Sequence, residues 1–307
     1  MAAPERPSPR QRAATAPYRR ALVLANPIAG RGRARPAAEA LARGLRGLGT
    51  ECDLHFTEER GDARTRAGEL ASDVDLLGCV GGDGTLGEVL AGLGDRAVPV
   101  AFLPAGTANV LAIDLSLPRD VDGLLAAIAG GKTTCVDTAR VNGERLSFLV
   151  TSVGLDAKVV AEVEARRHGP IKKSTYIGAI ARALRGYAPP SLAVEIDGHA
   201  IDGRFGQVLV SNVVNYAGFH VLSEDRRLDD GLFEAYLFRD GSRSGLFAAG
   251  LRGLLRGLPG GSCTLRRARR VRITSESPVP CQVDGDSFGT TPVEIAVHLV
   301  QSRLVVP

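Results

Sequence analysis

The sequence predicts an α/β chain in two parts: an N-terminal α/β domain on a mainly parallel sheet, then a C-terminal antiparallel β-sandwich. Three observations carry this. Strand-length apolar runs alternate with helical patterns over roughly 100 residues from Arg20 onward, the mark of a parallel sheet. Beyond Gly130-Gly131 the chain changes to short β-prone runs separated by Asn-Gly and Asp-Gly turns, the mark of antiparallel pairing. The length, 307 residues with 44% hydrophobic content, exceeds one ordinary domain and can fill two cores.

Residues 1–17 are rich in Pro, Ala and Arg without periodicity and are expected to be a disordered tail. Arg20–Ala25 is a first buried strand, which runs into the glycine-bearing turn Asn26–Gly32. Pro36–Gly49 places Leu41, Leu45 and Leu48 on one helical face and closes with glycine. Leu54–Thr57 ends a second strand, and 62–71 is a second helix. The alternation continues with a strand at 75–80, a helix at 85–93, a strand at 98–103 and a helix at 107–115. In the second part the β-prone runs are 136–141, 146–153, 192–196, 207–214, 232–238, 264–274 and 279–283, interrupted by helical patches at 171–187 and 244–258. The expected partition is 18–135 for the α/β domain and 136–295 for the sandwich.

The chemistry centres on Gly81-Gly82-Asp83-Gly84-Thr85, between a buried strand and a helix beginning Leu86-Gly87-Glu88. Three glycines in four residues let the backbone approach a large anion, and the helix N-terminus adds partial positive charge. Asp83 beside a polyphosphate calls for an intervening cation such as Mg²⁺. In a parallel sheet, ligands bind beyond the carboxyl ends of the strands. The loops Asn26–Gly32, Thr57–Asp62, Gly81–Thr85 and Pro104–Asn109 all fall at that edge, and Thr107 stands where a helix N-cap is expected.

Composition excludes several classes. The net charge of +4 favours anionic partners, while 5% aromatic residues and no Trp argue against a single-strand nucleic-acid platform. Five scattered cysteines without a Cys-x-x-Cys pair argue against zinc and disulfides. Without a spanning run or a signal segment the expected location is cytoplasmic.

Six ordered blocks then carry a resemblance. Asn26-Pro27, Gly81–Thr85 with Glu88, Gly106-Thr107-Ala108-Asn109, Gly154-Leu155-Asp156, Arg227-Leu228-Asp229-Asp230-Gly231 and Val283-Asp284-Gly285-Asp286 occur in the order seen in the diacylglycerol kinase catalytic-domain family of lipid kinases. The match runs from about residue 19 to the C-terminus. The resemblance implies an ATP-binding domain, a lipid-binding sandwich, a cleft between them and a return of 296–307 to the first domain.

It also implies residue roles. Asn26, Thr57, Gly81, Gly82, Gly84, Thr85, Leu86, Gly87, Glu88, Gly106 and Thr107 lie at nucleotide contacts, and Asp83 organises Mg²⁺-ATP with Asp156 as acidic partner. Asp286 takes the place of the proton acceptor for a lipid hydroxyl. Arg227, Asp230 and Leu232 form a second, structural metal loop, Asp230 by its carboxylate and the others by carbonyls. The chain departs from the pattern at three points: Asp286 where many relatives have Glu, Gly87 where Asn is common, and Val110 where some carry Asp.

The expected activity is γ-phosphate transfer from ATP, with Mg²⁺, to a lipid alcohol, foremost diacylglycerol. Sphingoid bases or ceramide, an NAD kinase, and a catalytically weak nucleotide- or lipid-binding regulator are the alternatives; nucleic acid is not an expected partner. Arg243, Arg252 and Arg256 beside the apolar face of 244–258, the run Arg266–Arg272, and Lys172-Lys173 suggest peripheral contact with an anionic inner membrane face. Core packing and a solvated strand edge are the alternative readings of the helix and the arginine run.

Overall fold

The computed structural model describes residues 17–166, 173–185, 187–216, 220–222 and 226–307. The tail up to residue 16, and Lys172, lie outside that set. The first part runs β1 (Arg20–Ala25), α1 (Ala34–Gly47), β2 (Glu51–Phe56), α2 (Asp62–Gly68), β3 (Leu76–Gly81), α3 (Asp83–Leu93), β4 (Val100–Pro104), α4 (Val110–Asp114), α5 (Val121–Gly130) and β5 (Thr133–Val136). It continues with β6 (Ala139–Val141), β7 (Arg145–Ser147), β8 (Val150–Val153), α6 (Leu155–Glu164), α7 (Lys173–Leu184), β9 (Leu192–Ile196), β10 (His199–Phe205), β11 (Gln207–Ser211), β12 (Asn215–Tyr216) and β13 (His220–Val221). The last elements are β14 (Phe233–Phe238), α8 (Arg243–Arg256), β15 (Cys263–Ala268), β16 (Arg270–Ser275), β17 (Pro280–Val283), β18 (Asp286–Thr290), β19 (Val293–Val297) and β20 (Ser302–Val305).

The first sheet has the order β2-β1-β3-β4-β20-β5, parallel throughout except for the edge strand β5. β20 therefore brings the chain's last strand back between β4 and β5. Two antiparallel sheets, β10-β9-β16-β19-β6-β7 and β15-β14-β11-β8-β17-β18, form the sandwich.

Three cores follow from these layers. One lies under α1 and α5, on Leu41, Leu45, Leu124 and Ile128. A second fills the sandwich, with Val194, Val210, Phe233, Leu237, Ile273 and Ile295. The third joins the halves: Leu86, Val89 and Leu111 of the first part pack in one cluster with Phe148, Leu209, Tyr236 and Phe238 of the second. All six residues of β14 are buried because both faces of its sheet are covered.

Several sequence boundaries shift for local reasons. The β-prone runs 136–141, 146–153 and 264–274 each divide between two sheets. The breaks fall where a carboxylate or loop carbonyl captures the backbone: Asp137 N–H donates to Leu228 O at 2.6 Å, and Arg269 and Arg270 N–H to Asp197 Oδ1 at 3.0 and 2.8 Å. Helix α5, capped by Asp120 accepting from Gly123 N–H at 2.8 Å, has no counterpart among the elements expected from the sequence, nor do α6, β10, β12, β13, β18 and β19. The Asp120 cap was a readable signal. All five cysteines are free, four of them buried. Among the described residues no helix is long and apolar enough to cross a membrane.

Candidate active site

The loops at the carboxyl ends of β1, β3 and β4 come together around glycines that tolerate no side chain. A Cβ on Gly106 would sit 2.6 Å from Gly82 Cα, and one on Gly30 would sit 2.8 Å from Ala105 O. Ala105 N–H donates to Gly81 O at 2.6 Å, while Thr85 Oγ1 fills the space over Gly81, 2.5 Å from where a Cβ would stand. Asn26 Oδ1 accepts from Ile28 N–H at 3.2 Å, and Thr57 N–H donates to Ala25 O at 2.9 Å, which closes the neighbouring loops. Helix α3 starts at Gly82 without a side-chain cap, so its first-turn N–H groups stay available to an anion.

Asp83 is held inside this cradle. Its Oδ2 accepts the N–H of Val110 at 3.2 Å and so caps α4 from another element, while its buried Oδ1 has no hydrogen-bond partner among the described residues. Burial pushes the carboxyl up to about 6, against the pull of the Val110, Asn109 and Leu111 N–H groups. An orphaned carboxylate oxygen beside a glycine cradle fits Mg²⁺, which takes one or two carboxylates and completes its shell with phosphate and water. Among the described residues no cluster of three acidic, His or Cys side chains offers a cation a protein-only cage.

The remaining residues of the glycine block face elsewhere. Leu86 is buried in the joining core, and Glu88 Oε1 accepts from Gly61 N–H at 3.0 Å, pinning the loop before α2. A Cβ on Gly87 would lie 3.0 Å from Phe148 Cε1, so the missing side chain makes room for an aromatic ring of the sandwich. The Val110 side chain is likewise buried. Thr107 is exposed and is not the N-cap of α4; that position belongs to Asn109, left-handed at φ 50°, whose side chain bonds both N–H and O of Gly106.

Across from the cradle, β17 and β18 are joined at Asp284-Gly285, and Asp286 opens β18. Asp284 binds the turn between β7 and β8 through the Phe148, Leu149 and Val150 N–H groups and Ser147 Oγ, at 2.8–3.1 Å. Burial raises its carboxyl to about 6 against those four donors. Asp286 Oδ2 accepts from Arg60 at 2.6 Å and from Arg145 at 2.7 Å. Arg60 comes from the loop after β2, so this contact spans the two halves; Glu164 joins it, 3.8 Å from Arg60 and accepting Ser287 N–H at 3.1 Å.

Asp156, expected as the acidic partner of Asp83, accepts from Ser152 Oγ at 2.5 Å and Gln282 Nε2 at 3.2 Å, and Gln282 Oε1 accepts Gly285 N–H at 2.8 Å. It therefore braces the hairpin that carries Asp286, and among the described residues no hydrogen bond joins it to Asp83. Arg60, Arg145 and Asp284 are not marked by the sequence, because isolated arginines and a turn aspartate carry no local pattern; pairings 141 and 226 residues apart are set by the fold.

The loop offered to a structural metal is occupied otherwise. Asp230 Oδ1 accepts from Arg226 at 3.0 Å and from Leu232 N–H at 3.1 Å, and Leu232 O accepts from Arg226 at 2.5 Å. Arg227 points outward and pairs with Asp229 at 3.3 Å. Two of the three expected metal ligands thus already hold a guanidinium, and a divalent cation does not fit there.

An anion cradle on a parallel sheet, linked across to a carboxylate on a β-sandwich, defines a two-domain phosphotransferase. Residues 20–141 match the family described as "Diacylglycerol kinase catalytic domain", and residues 149–305 that described as "YegS C-terminal NAD kinase beta sandwich-like domain". The chain belongs to this diacylglycerol kinase catalytic-domain family and is a lipid kinase. It is 27% identical over 303 residues to a diacylglycerol kinase of Bacillus subtilis (strain 168), covering 93% of this chain and 97% of that one. To a diacylglycerol kinase of Staphylococcus epidermidis it is 29% identical over 287 residues, covering 89% and 88%. A crystal structure of a diacylglycerol kinase from Bacillus anthracis str. Sterne superposes with a TM-score of 0.73 at 20% identity over 95% of this chain and 98% of that chain, a likeness of fold.

Proposed function

We propose that this protein phosphorylates diacylglycerol at an anionic membrane surface, using Mg²⁺-ATP. The observation that carries the nucleotide half is the buried, unpartnered Asp83 Oδ1 beside the closed Gly82–Gly106 approach. The lipid half rests on relatives named for diacylglycerol that match nearly the whole chain. Gly82 and the first turn of α3 hold phosphate oxygens through their N–H groups, Gly106 leaves room for the backbone's close approach, Thr85 and Asn109 keep that backbone in place, and Asp83 holds the metal. Mg²⁺, when bound, neutralises phosphate charge. Asp286 accepts the proton of the lipid hydroxyl. Arg60 and Arg145 fix its Oδ2, so either Oδ1 receives the proton or Arg60 moves aside as the lipid enters.

Labelled γ-phosphate transfer from Mg²⁺-ATP to a lipid panel in mixed micelles, with NAD as a control acceptor, tests this reading. Labelled phosphatidic acid supports it; label on a sphingoid base, ceramide or NAD, or on nothing although ATP binds, replaces it.

Helix α8 is the membrane-facing element in this reading. Leu246 and Ala249 pack it onto the joining core, while Phe247, Leu251 and Leu255, spaced four residues apart, are 74%, 48% and 69% exposed. Arg243 and Arg256 are exposed at its two ends. An apolar stripe flanked by arginines suits an anionic bilayer surface. The expected result of Phe247→Ser with Leu255→Ser is loss of binding to anionic vesicles by roughly 100-fold or more, at about 1.5–3 kcal/mol per buried side chain. Turnover of a short-chain, water-soluble diacylglycerol stays unchanged. Undiminished flotation of the double variant would remove α8 from the membrane contact. The arginine run fits this role less: Arg267 pairs with buried Glu234 at 3.5 Å, and Arg270 with Glu294 at 3.7 Å.

A further inference from the structure

The Arg226 guanidinium sits where a divalent cation would otherwise close the Asp230 loop. Its side chain is 0% exposed, and it donates to the Asp230 carboxylate, the Leu232 carbonyl and Asn212 Oδ1. These are hard oxygens of the kind Mg²⁺ or Ca²⁺ takes, drawn from a loop and a neighbouring strand end. A planar, permanently charged group with five N–H donors can bind several such oxygens at once, and its charge repels any cation approaching the same carboxylate.

The same cluster reaches the two segments on which the chain passes between its halves. Asn212 Nδ2 donates to Asp137 O at 2.8 Å, Gly231 N–H to Asp137 Oδ2 at 2.7 Å, and Gln301 Nε2 to Asp137 Oδ1 at 2.7 Å and Asp229 O at 3.1 Å. Asp137 lies between β5 and β6, and Gln301 lies between β19 and β20, so each sits on a connecting segment that crosses between the parallel sheet and the sandwich. His298 N–H donates to Thr138 O at 2.7 Å, which binds the two crossovers to each other.

We propose that Arg226 is the built-in cation of this loop: it replaces a structural metal and clamps the junction between the two halves without one. The clamp is separate from the phosphate cradle, and its test needs no nucleotide, so its failure would leave the kinase reading untouched.

The test is thermal melting of the nucleotide-free protein in chelator and in millimolar Mg²⁺ or Ca²⁺. Wild type is expected to melt at the same temperature in all three. Arg226→Ala is expected to melt about 5–10 °C lower in chelator, because breaking a buried pair leaves its partners unsatisfied, and to recover part of that loss with Ca²⁺ or Mg²⁺. Adding Asp230→Asn to Arg226→Ala abolishes the recovery. If Arg226→Ala does not fold, the wild-type scan decides, with Asp83→Asn and Asp230→Asn beside it. A metal-induced rise in wild type that persists in Asp83→Asn but disappears in Asp230→Asn would overturn the proposal; an unresponsive wild type supports it.

Discussion

Asp286→Asn is expected to lower phosphoryl transfer by roughly 10²–10⁴-fold in kcat, the usual contribution of a positioned general base. The substitution keeps the shape of the side chain and removes its negative charge and its capacity to accept a proton. It also weakens the contacts with Arg60 and Arg145, but those arginines are 62% and 41% exposed, so each pair is worth on the order of 1 kcal/mol or less. The fold should therefore survive, and a thermal melt beside the kinetic assay checks that it does. Asp286→Glu carries the acid one methylene further and is expected to retain turnover within about tenfold, because the partly exposed site has room for it. If Asp286→Asn transfers phosphate at the wild-type rate with an unchanged melt, the carboxylate is not the proton acceptor.

Asp83→Asn is expected to abolish transfer while making the nucleotide-free protein more stable at neutral pH. The carboxyl is buried and raised to about 6, above its value of 3.8 in an open chain. Folding thus favours the protonated form, and holding the ionised form costs about 3 kcal/mol, from about two units at 1.36 kcal/mol each. That cost is absent below about pH 4, grows as pH rises, and is complete above pH 6. Asn carries no such charge, so urea denaturation at pH 7 should show the variant more stable than wild type by on the order of 2 kcal/mol, with the difference vanishing toward pH 4.

The same titration acts on activity in the opposite direction. Only the ionised carboxylate binds a metal, so wild-type kcat/KM for Mg²⁺-ATP should fall about tenfold per pH unit below about pH 6. A flat profile between pH 5 and 7, or an Asp83→Asn variant with normal turnover, would take Asp83 out of the metal role. The arrangement places an electrostatic cost where the ligand relieves it: the oxygen without a partner in the free protein gains one on binding.

The glycine loop was legible because its geometry is local. Gly81–Thr85 requires only a strand, a tight turn and a helix start, and all three are written in neighbouring residues. The same holds for the parallel sheet, whose strands β1, β3 and β4 are continuous apolar runs. The splitting of 146–153 between two sheets was not legible, because Val150 N–H turns to Asp284, 134 residues away, and nothing near Val150 announces it.

Neighbouring positions in one motif met different fates for the same reason. Gly81, Gly82 and Asp83 form the cradle, but Leu86, Gly87 and Glu88 turn to the core, to Phe148 and to Gly61, since a helix distributes successive residues around its axis. The Arg227–Leu232 block shows the converse: its sequence suits a metal loop, while the side chain that fills the loop belongs to the residue just before it.

By itself the sequence determined the α/β alternation, the change to antiparallel pairing, the glycine cradle with its acid, and the family, because each rests on residues close together or on an ordered series of such blocks. Only the tertiary structure decided that Asp83 caps α4 with one oxygen left unpartnered, that Asp286 is gripped by Arg60 and Arg145, that Asp156 braces the hairpin carrying Asp286, and that Arg226 fills the Asp230 loop. A charge or donor can pair with any of many groups along the chain, and which of them it meets is settled only when packing brings distant segments within the 2.5–3.2 Å of a hydrogen bond.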